Sequence, residues 1–184
     1  MKLERSLIED FFRNLYLRKG GIRLFLYHMV IHNDILENIN PQIVLKEGLN
    51  YNTSTKWYSK SANLFPDLTE RFRPANLPKW IDFEVAFGVD LEVDESPHYR
   101  FPVFSDKILV FNRDISSNLF AYIEDMYDGG KGRIIEGLPS KEDLMKNYWA
   151  SMNTLEDYLN NKPFNNPEVY IFEQVPAKLI DYIE

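Results

Sequence analysis

Two stretches of this sequence set chemically capable side chains inside otherwise apolar strands. In RLFLYHMV (23–30), Tyr27 and His28 interrupt a branched and aromatic run, and the two-residue period of a strand turns one of the pair inward. In PEVYIF (167–172), Glu168 opens the last apolar strand. An imidazole hydrogen-bonds a substrate, and a carboxylate accepts a proton or steadies a developing positive charge. Each also has an ordinary structural use. A buried Tyr or His is satisfied by a backbone carbonyl, and a carboxylate at a strand edge is solvated. Glu173, five residues beyond Glu168, falls on the opposite strand face and is the weaker candidate.

Other polar groups carry less. Asp90, Glu92, Asp94 and Glu95, with His98 nearby, resemble metal ligands in type, but their alternation with Val89, Leu91 and Val93 is the pattern of a solvated strand face, so no metal is expected. The chain contains no Walker or dinucleotide-binding glycine loop, no HExxH and no GxSxG. Arg71 and Arg73 beside Pro74 have the fork geometry that matches phosphate oxygens, and equally the look of solvated loop arginines.

Composition narrows the classes. A chain of 184 residues with 45% hydrophobic and 15% aromatic content is expected to fold as one domain and to bury roughly 70% of its unfolded surface. The 28 acidic and 21 basic side chains leave a net charge of −7, the wrong sign for holding a duplex phosphate backbone. Absence of cysteine excludes disulfides and thiolate chemistry. The opening MKLERSLIEDFF is amphipathic and acidic where a signal peptide would not be, and no run is long enough to span a bilayer. The expectation is a cytoplasmic protein without a membrane partner.

Leu3, Leu7, Phe11 and Leu15 give an N-terminal helix within residues 1–20, closed at Gly20-Gly21. Arg23 to Val30 is the first strand. A helix capped at Asn33 or Asp34 is broken or restarted at Pro41 and stopped by Gly48. Residues 50–80 are loop-rich, with a short helix at Pro66 to Phe72. Strands follow at Phe83 to Val93 and Lys107 to Phe111. A helix capped by Ser116 or Ser117 runs to Tyr127, and a long helix opens at Ser140 with Asp143 as a capping pair and ends at Pro163. The last strand is Val169 to Phe172, and Pro176 opens a C-terminal helix. Helices scattered among strands, without repeats, make the class α+β.

The string LYHMV, a helix and then IVLKEGL resembles the opening of the ADP-ribosyltransferase-like fold, and NPEVYIFEQVPAKLI is similar to the closing strand of its DarT-like branch. The resemblance implies split mixed β-sheets with flanking helices and a cleft between them that binds NAD. It implies His28 on the ribose or nicotinamide portion and Glu168 as the catalytic acid residue, acting on a protein or single-stranded nucleic acid target. Cleavage of a ribosyl N-glycosidic bond passes through an oxocarbenium-like state that such a carboxylate stabilises. Tyr27, His28, Tyr58 and Arg73 are the expected cofactor-binding residues. The family's third polar or aromatic residue has several candidates, Thr53, Ser54, Thr55, Tyr58 and Tyr122, each with a loop or core reading beside it. Tyr148-Trp149 either caps the cleft or belongs to the core. A non-catalytic interaction protein of the same fold, and an RNA 2′-phosphotransferase-like enzyme, are the alternatives, and the acidic charge disfavours the second.

Overall fold

Alternating burial along short strands organises this chain into two antiparallel sheets. The computed structural model describes residues 24–30, 40–54, 64–127 and 135–184. In the first sheet β1 (Phe25–Met29) pairs with β3 (His98–Pro102), which pairs with β7 (Asp181–Ile183). In the second, β2 (Phe87–Val89), β6 (Pro167–Ile171), β4 (Ile108–Asn112) and β5 (Asn153–Thr154) follow one another in that spatial order. Every pairing among these strands is antiparallel, where the resemblance implies mixed sheets. The α+β class is as expected, with helices α1 (Pro41–Glu47), α2 (Leu64–Arg71), α3 (Arg113–Tyr127), α4 (Lys141–Ala150) and α5 (Leu155–Asn161). Among the described residues no helix is long and apolar enough to cross a membrane.

The four-stranded sheet is buried on both faces, so its strands feed two cores. Phe87, Val89, Val110, Val169 and Ile171 face the three-stranded sheet and pack with its Leu26, Tyr99 and Phe101. The alternate positions Leu109 and Phe111, with Phe172 just beyond β6, pack with α2, α3 and α4 through Leu68, Leu119, Ile123, Leu144 and Tyr148. The sheets are stitched where β1 meets the end of β2. The Tyr27 N–H donates to the Asp90 carbonyl at 3.0 Å, and the Asp90 N–H donates back to the Tyr27 carbonyl at 2.7 Å.

Several boundaries differ from the sequence reading, each for a local reason. Pro41 does restart a helix, capped by Asn40, and Gly48 ends it with φ 93°. The helix expected from Ser140 to Pro163 is two helices. Thr154 accepts from the Asp157 N–H and caps α5 as Ser140 caps α4, while Asn153-Thr154 pairs with Val110 and Leu109. The strand expected over Phe83 to Val93 is regular only at Phe87–Val89, because the preceding residues are turns, with Asp82 Oδ1 accepting from the Glu84 N–H. Helix α3 starts at Arg113 directly after β4, before Ser116 and Ser117. Beyond Pro176 a single 3₁₀ turn, Ala177–Leu179, gives way to β7, so the expected C-terminal helix is a strand completing the first sheet. Strand β3 was not read from the sequence. The expected helix at 3–17, its closing Gly20-Gly21, and Asn33, Asp34, Thr55 and Tyr58 lie outside the described residues.

The two caps give a direct check on these boundaries. Ser140→Ala and Thr154→Ala are each expected to lower unfolding free energy by about 1 kcal/mol in urea titrations. A continuous helix through 151–154 would instead make Thr154→Ala neutral or stabilising, since alanine is the better interior residue.

Candidate functional site

Glu168 is the second residue of β6, and register decides what surrounds it. Its cross-strand partner on β4 is Phe111, so both side chains leave the sheet on the face covered by helices. There α4 brings Tyr148, fully buried and stacked on the Phe111 ring at 4.7 Å. The Tyr148 hydroxyl donates to Glu168 Oε2 at 2.9 Å, and Tyr170, two residues along the same strand face, donates to Oε1 at 3.1 Å. The buried Ser116 hydroxyl lies within reach of the same carboxylate and also bonds the Arg113 carbonyl at 3.1 Å, so its one proton serves either acceptor. Although Glu168 as a residue is only half-buried, its carboxylate is enclosed by these hydroxyls.

The charge balance is set by opposing causes. Burial pushes the Glu168 carboxyl above its ordinary 4.5, while the hydrogen bonds of Ser116, Tyr148 and Tyr170 and the positive charge of Arg113 work to hold it down. Burial first, and then the neighbouring Glu168 charge, push both Tyr148 and Tyr170 well above 10, so both phenols remain protonated donors. Arg113 opens α3 and donates to Asp90 Oδ1 at 2.9 Å, tying the end of β2 to the same corner.

Gly88 is exposed and pairs with Tyr170, and among the described residues a Cβ built on it would meet no atom nearer than the Val169 carbonyl at 4.0 Å. Among the described residues no side chain covers the Gly88 backbone beside the tyrosine that holds Glu168.

The two residues expected to act together diverge. The alternation of β1 sends Leu26, His28 and Val30 into the core between the sheets and Tyr27 to the other side. His28 is 4% exposed, its ring edge-on to Phe87 and stacked with Tyr99, and its Nδ1 bonds the Gly88 carbonyl at 2.8 Å. Phe87 and Val89 leave β2 opposite to the Tyr170 and Glu168 face, so His28 and Glu168 lie on opposite faces of the four-stranded sheet. Burial lowers the His28 pKa below 6.5, against the raising effects of the Gly88 bond and of Asp90, so the ring is neutral and Nδ1 carries the donated proton at pH 7. Tyr27 pairs with Asp90, which follows Val89 and so shares the Glu168 side of the sheet. Of the pair on β1, Tyr27 is the one turned that way. Its ring also meets His98 edge-on at 5.5 Å.

The remaining candidates have structural jobs. Arg73 ion-pairs with Glu70 at 3.1 Å and donates to the backbone carbonyls of Pro78 and Ile81, bracing the loop after α2 rather than presenting its fork to a phosphate. Thr53 Oγ1 donates to the Gly48 carbonyl and Ser54 Oγ to that of Tyr51, both within one turn. The Tyr122 hydroxyl donates to the Pro139 carbonyl at 2.8 Å, and Trp149 Nε1 to that of Thr69 at 3.0 Å. Among the described residues no group of three or more His, Asp or Glu side chains gathers as metal ligands would.

Sequence reasoning did not assign Tyr170, Ser116, Arg113 or Asp90 to the Glu168 site. The two-residue spacing of Glu168 and Tyr170 was the available signal, since it places both on one strand face. No protein-family model matches the chain, and no curated protein or solved structure is significantly similar to it.

Proposed function

We propose that this chain is an ADP-ribosyltransferase-like enzyme that consumes NAD, with Glu168 as the carboxylate that stabilises the ribosyl transition state. The observation that carries the reading is an enclosed carboxylate, held by two phenols, beside the Gly88 backbone where two small sheets meet. Its wider support is topological: β1, with Tyr27 turned to the Glu168 side, and β6, with Glu168, both border the β2 end.

In this reading the bond between ribose C1′ and the nicotinamide nitrogen breaks, and its electron pair leaves with nicotinamide. The positive charge developing on the sugar is met by Glu168 and is strongest in the transition state, which is where stabilisation accelerates the reaction. A nucleophile of a protein or single-stranded nucleic acid then forms the new bond to C1′, and Glu168 takes its proton. Tyr27 is the β1 side chain on the ligand side, and His28 fixes β1 to the Gly88 carbonyl from the core side. Enclosure of the carboxylate suits this work, because charge interactions strengthen where water is excluded.

NAD carrying label in its nicotinamide tests the reading. Wild-type protein is expected to release labelled nicotinamide, and NAD at a hundred times its dissociation constant is expected to add about 2.7 kcal/mol to stability. The absence of both nicotinamide release and a melting shift overturns the reading. A binding protein of the same fold is favoured by one observation, that Glu168 and the Asp90–Arg113 pair are already satisfied internally. A melting shift with no nicotinamide release selects that alternative.

A further inference from the structure

We infer that Tyr148 and Tyr170 are positioning residues, which hold the Glu168 carboxylate in one orientation for the chemistry proposed for it. The inference rests on the proposed role of Glu168 and deepens it.

A carboxylate offers about four acceptor sites on its two oxygens. Here each oxygen receives one phenol, Oε2 from Tyr148 and Oε1 from Tyr170, so any rotation short of a half-turn that exchanges the equivalent oxygens breaks at least one bond. The phenols come from different elements, α4 and β6, and are themselves fixed. Tyr148 is fully buried and stacked on Phe111, and Tyr170 meets the ring of Phe83 edge-on at 5.2 Å. Neither ring can follow a displaced carboxylate without disturbing a core.

The other groups around the carboxylate do different work. Ser116 divides its single proton between Glu168 and the Arg113 carbonyl, so it is a weaker constraint. Arg113 acts through charge and is bonded to Asp90. Tyr27 shares the sheet side without a bond to Glu168 among those described. Two phenols that donate to the anion also favour the ionised form, opposing the effect of burial. The geometry thus sets both the direction of the carboxylate and the pH at which it takes a proton.

Tyr148→Phe and Tyr170→Phe, made in protein labelled with ¹³C at the glutamate carboxyl carbons, test this without any need for turnover. The Glu168 signal is assigned by its loss in Glu168→Gln. Each phenylalanine variant is expected to move the Glu168 titration midpoint upward by about one pH unit, the size that follows from losing one hydrogen bond to a charged group. In turnover each is expected to lower kcat with little change in KM, and to move the acidic limb of the kcat profile upward by the same amount. Phe111→Leu serves as the packing control, because it disturbs the ring beneath Tyr148 while keeping both phenols. It is expected to lower Tm without moving the midpoint. An unchanged midpoint in both Tyr→Phe variants, or an equal shift in Phe111→Leu, overturns the inference. If the midpoints move as expected while wild-type protein releases no nicotinamide, the clamp stands and the enzymatic reading falls. If they stay fixed while Glu168→Gln abolishes release, the reverse holds.

Discussion

Glu168→Gln is expected to lower nicotinamide release by about 10²- to 10³-fold, the range found when one group that stabilises a developing charge is removed. The variant keeps the size and planar shape of the side chain: one of the two phenols still donates to the amide oxygen, and the other meets the amide N–H₂ and accepts from it. What it loses is the negative charge that meets the sugar. The loss therefore falls on kcat, with NAD binding largely retained. Stability is expected to move the other way. Burial raises the Glu168 pKa, so the folded protein holds this proton more tightly than the unfolded chain. Its contribution is most favourable below the unfolded value of 4.5 and is lost as pH rises through the folded value. Glutamine carries no such cost, so the variant should melt above wild type at pH 7, with the advantage shrinking as pH falls toward 4.5. A stabilised, inactive variant is the pattern of a residue kept for function at the expense of stability. An equally active variant removes Glu168 from the chemistry.

Gly48→Ala is expected to cost about 3 kcal/mol, among the largest losses a single methyl group can cause here. Gly48 sits at φ 93° and ψ 170°, a conformation almost closed to other residues, and its Cβ would lie 2.5 Å from the Val175 carbonyl. That carbonyl cannot yield easily, because it accepts from the Leu49 N–H at 3.1 Å while the Val175 N–H donates back at 2.8 Å. The bridge ties the end of α1 to the segment joining β6 to β7, so both sheets feel the change. Gly137→Ala is the internal comparison. Its φ is also positive, at 86°, but among the described residues an added Cβ meets nothing within 4 Å, and a loss of only about 1 kcal/mol is expected. Equal losses for the two variants would mean that backbone conformation alone, not the contact with Val175, governs Gly48. Urea titrations distinguish the outcomes.

Local chemistry was the legible part of this sequence. Pro41 as a first-turn residue, Gly48 as a stop, Ser140 as a cap and the strands around His28, Leu109 and Val169 follow from neighbours within a few residues. What depended on distant partners was not. Thr154 reads as a helix interior until β4 supplies the partners Leu109 and Val110, and Asp181–Ile183 becomes a strand because β3 offers an open edge. The candidate site divides the same way. Glu168 stood out by its place in an apolar strand, and the reading of His28 as a ring satisfied by a backbone carbonyl describes its bond to Gly88. The pairing of His28 with Glu168 could not be judged without the register that places Tyr27 opposite Asp90 and Val89 opposite Val169. Nor could Tyr148 be joined to Glu168, since helical spacing marks it as core, which it is, and says nothing of where its hydroxyl ends.

The most direct measurement is the ¹³C carboxyl resonance of Glu168 in glutamate-labelled wild-type protein as NAD is added. A saturable displacement of that one signal is expected, on the same binding curve as the rise in melting temperature. A signal that stays fixed while NAD reaches millimolar concentration would contradict it.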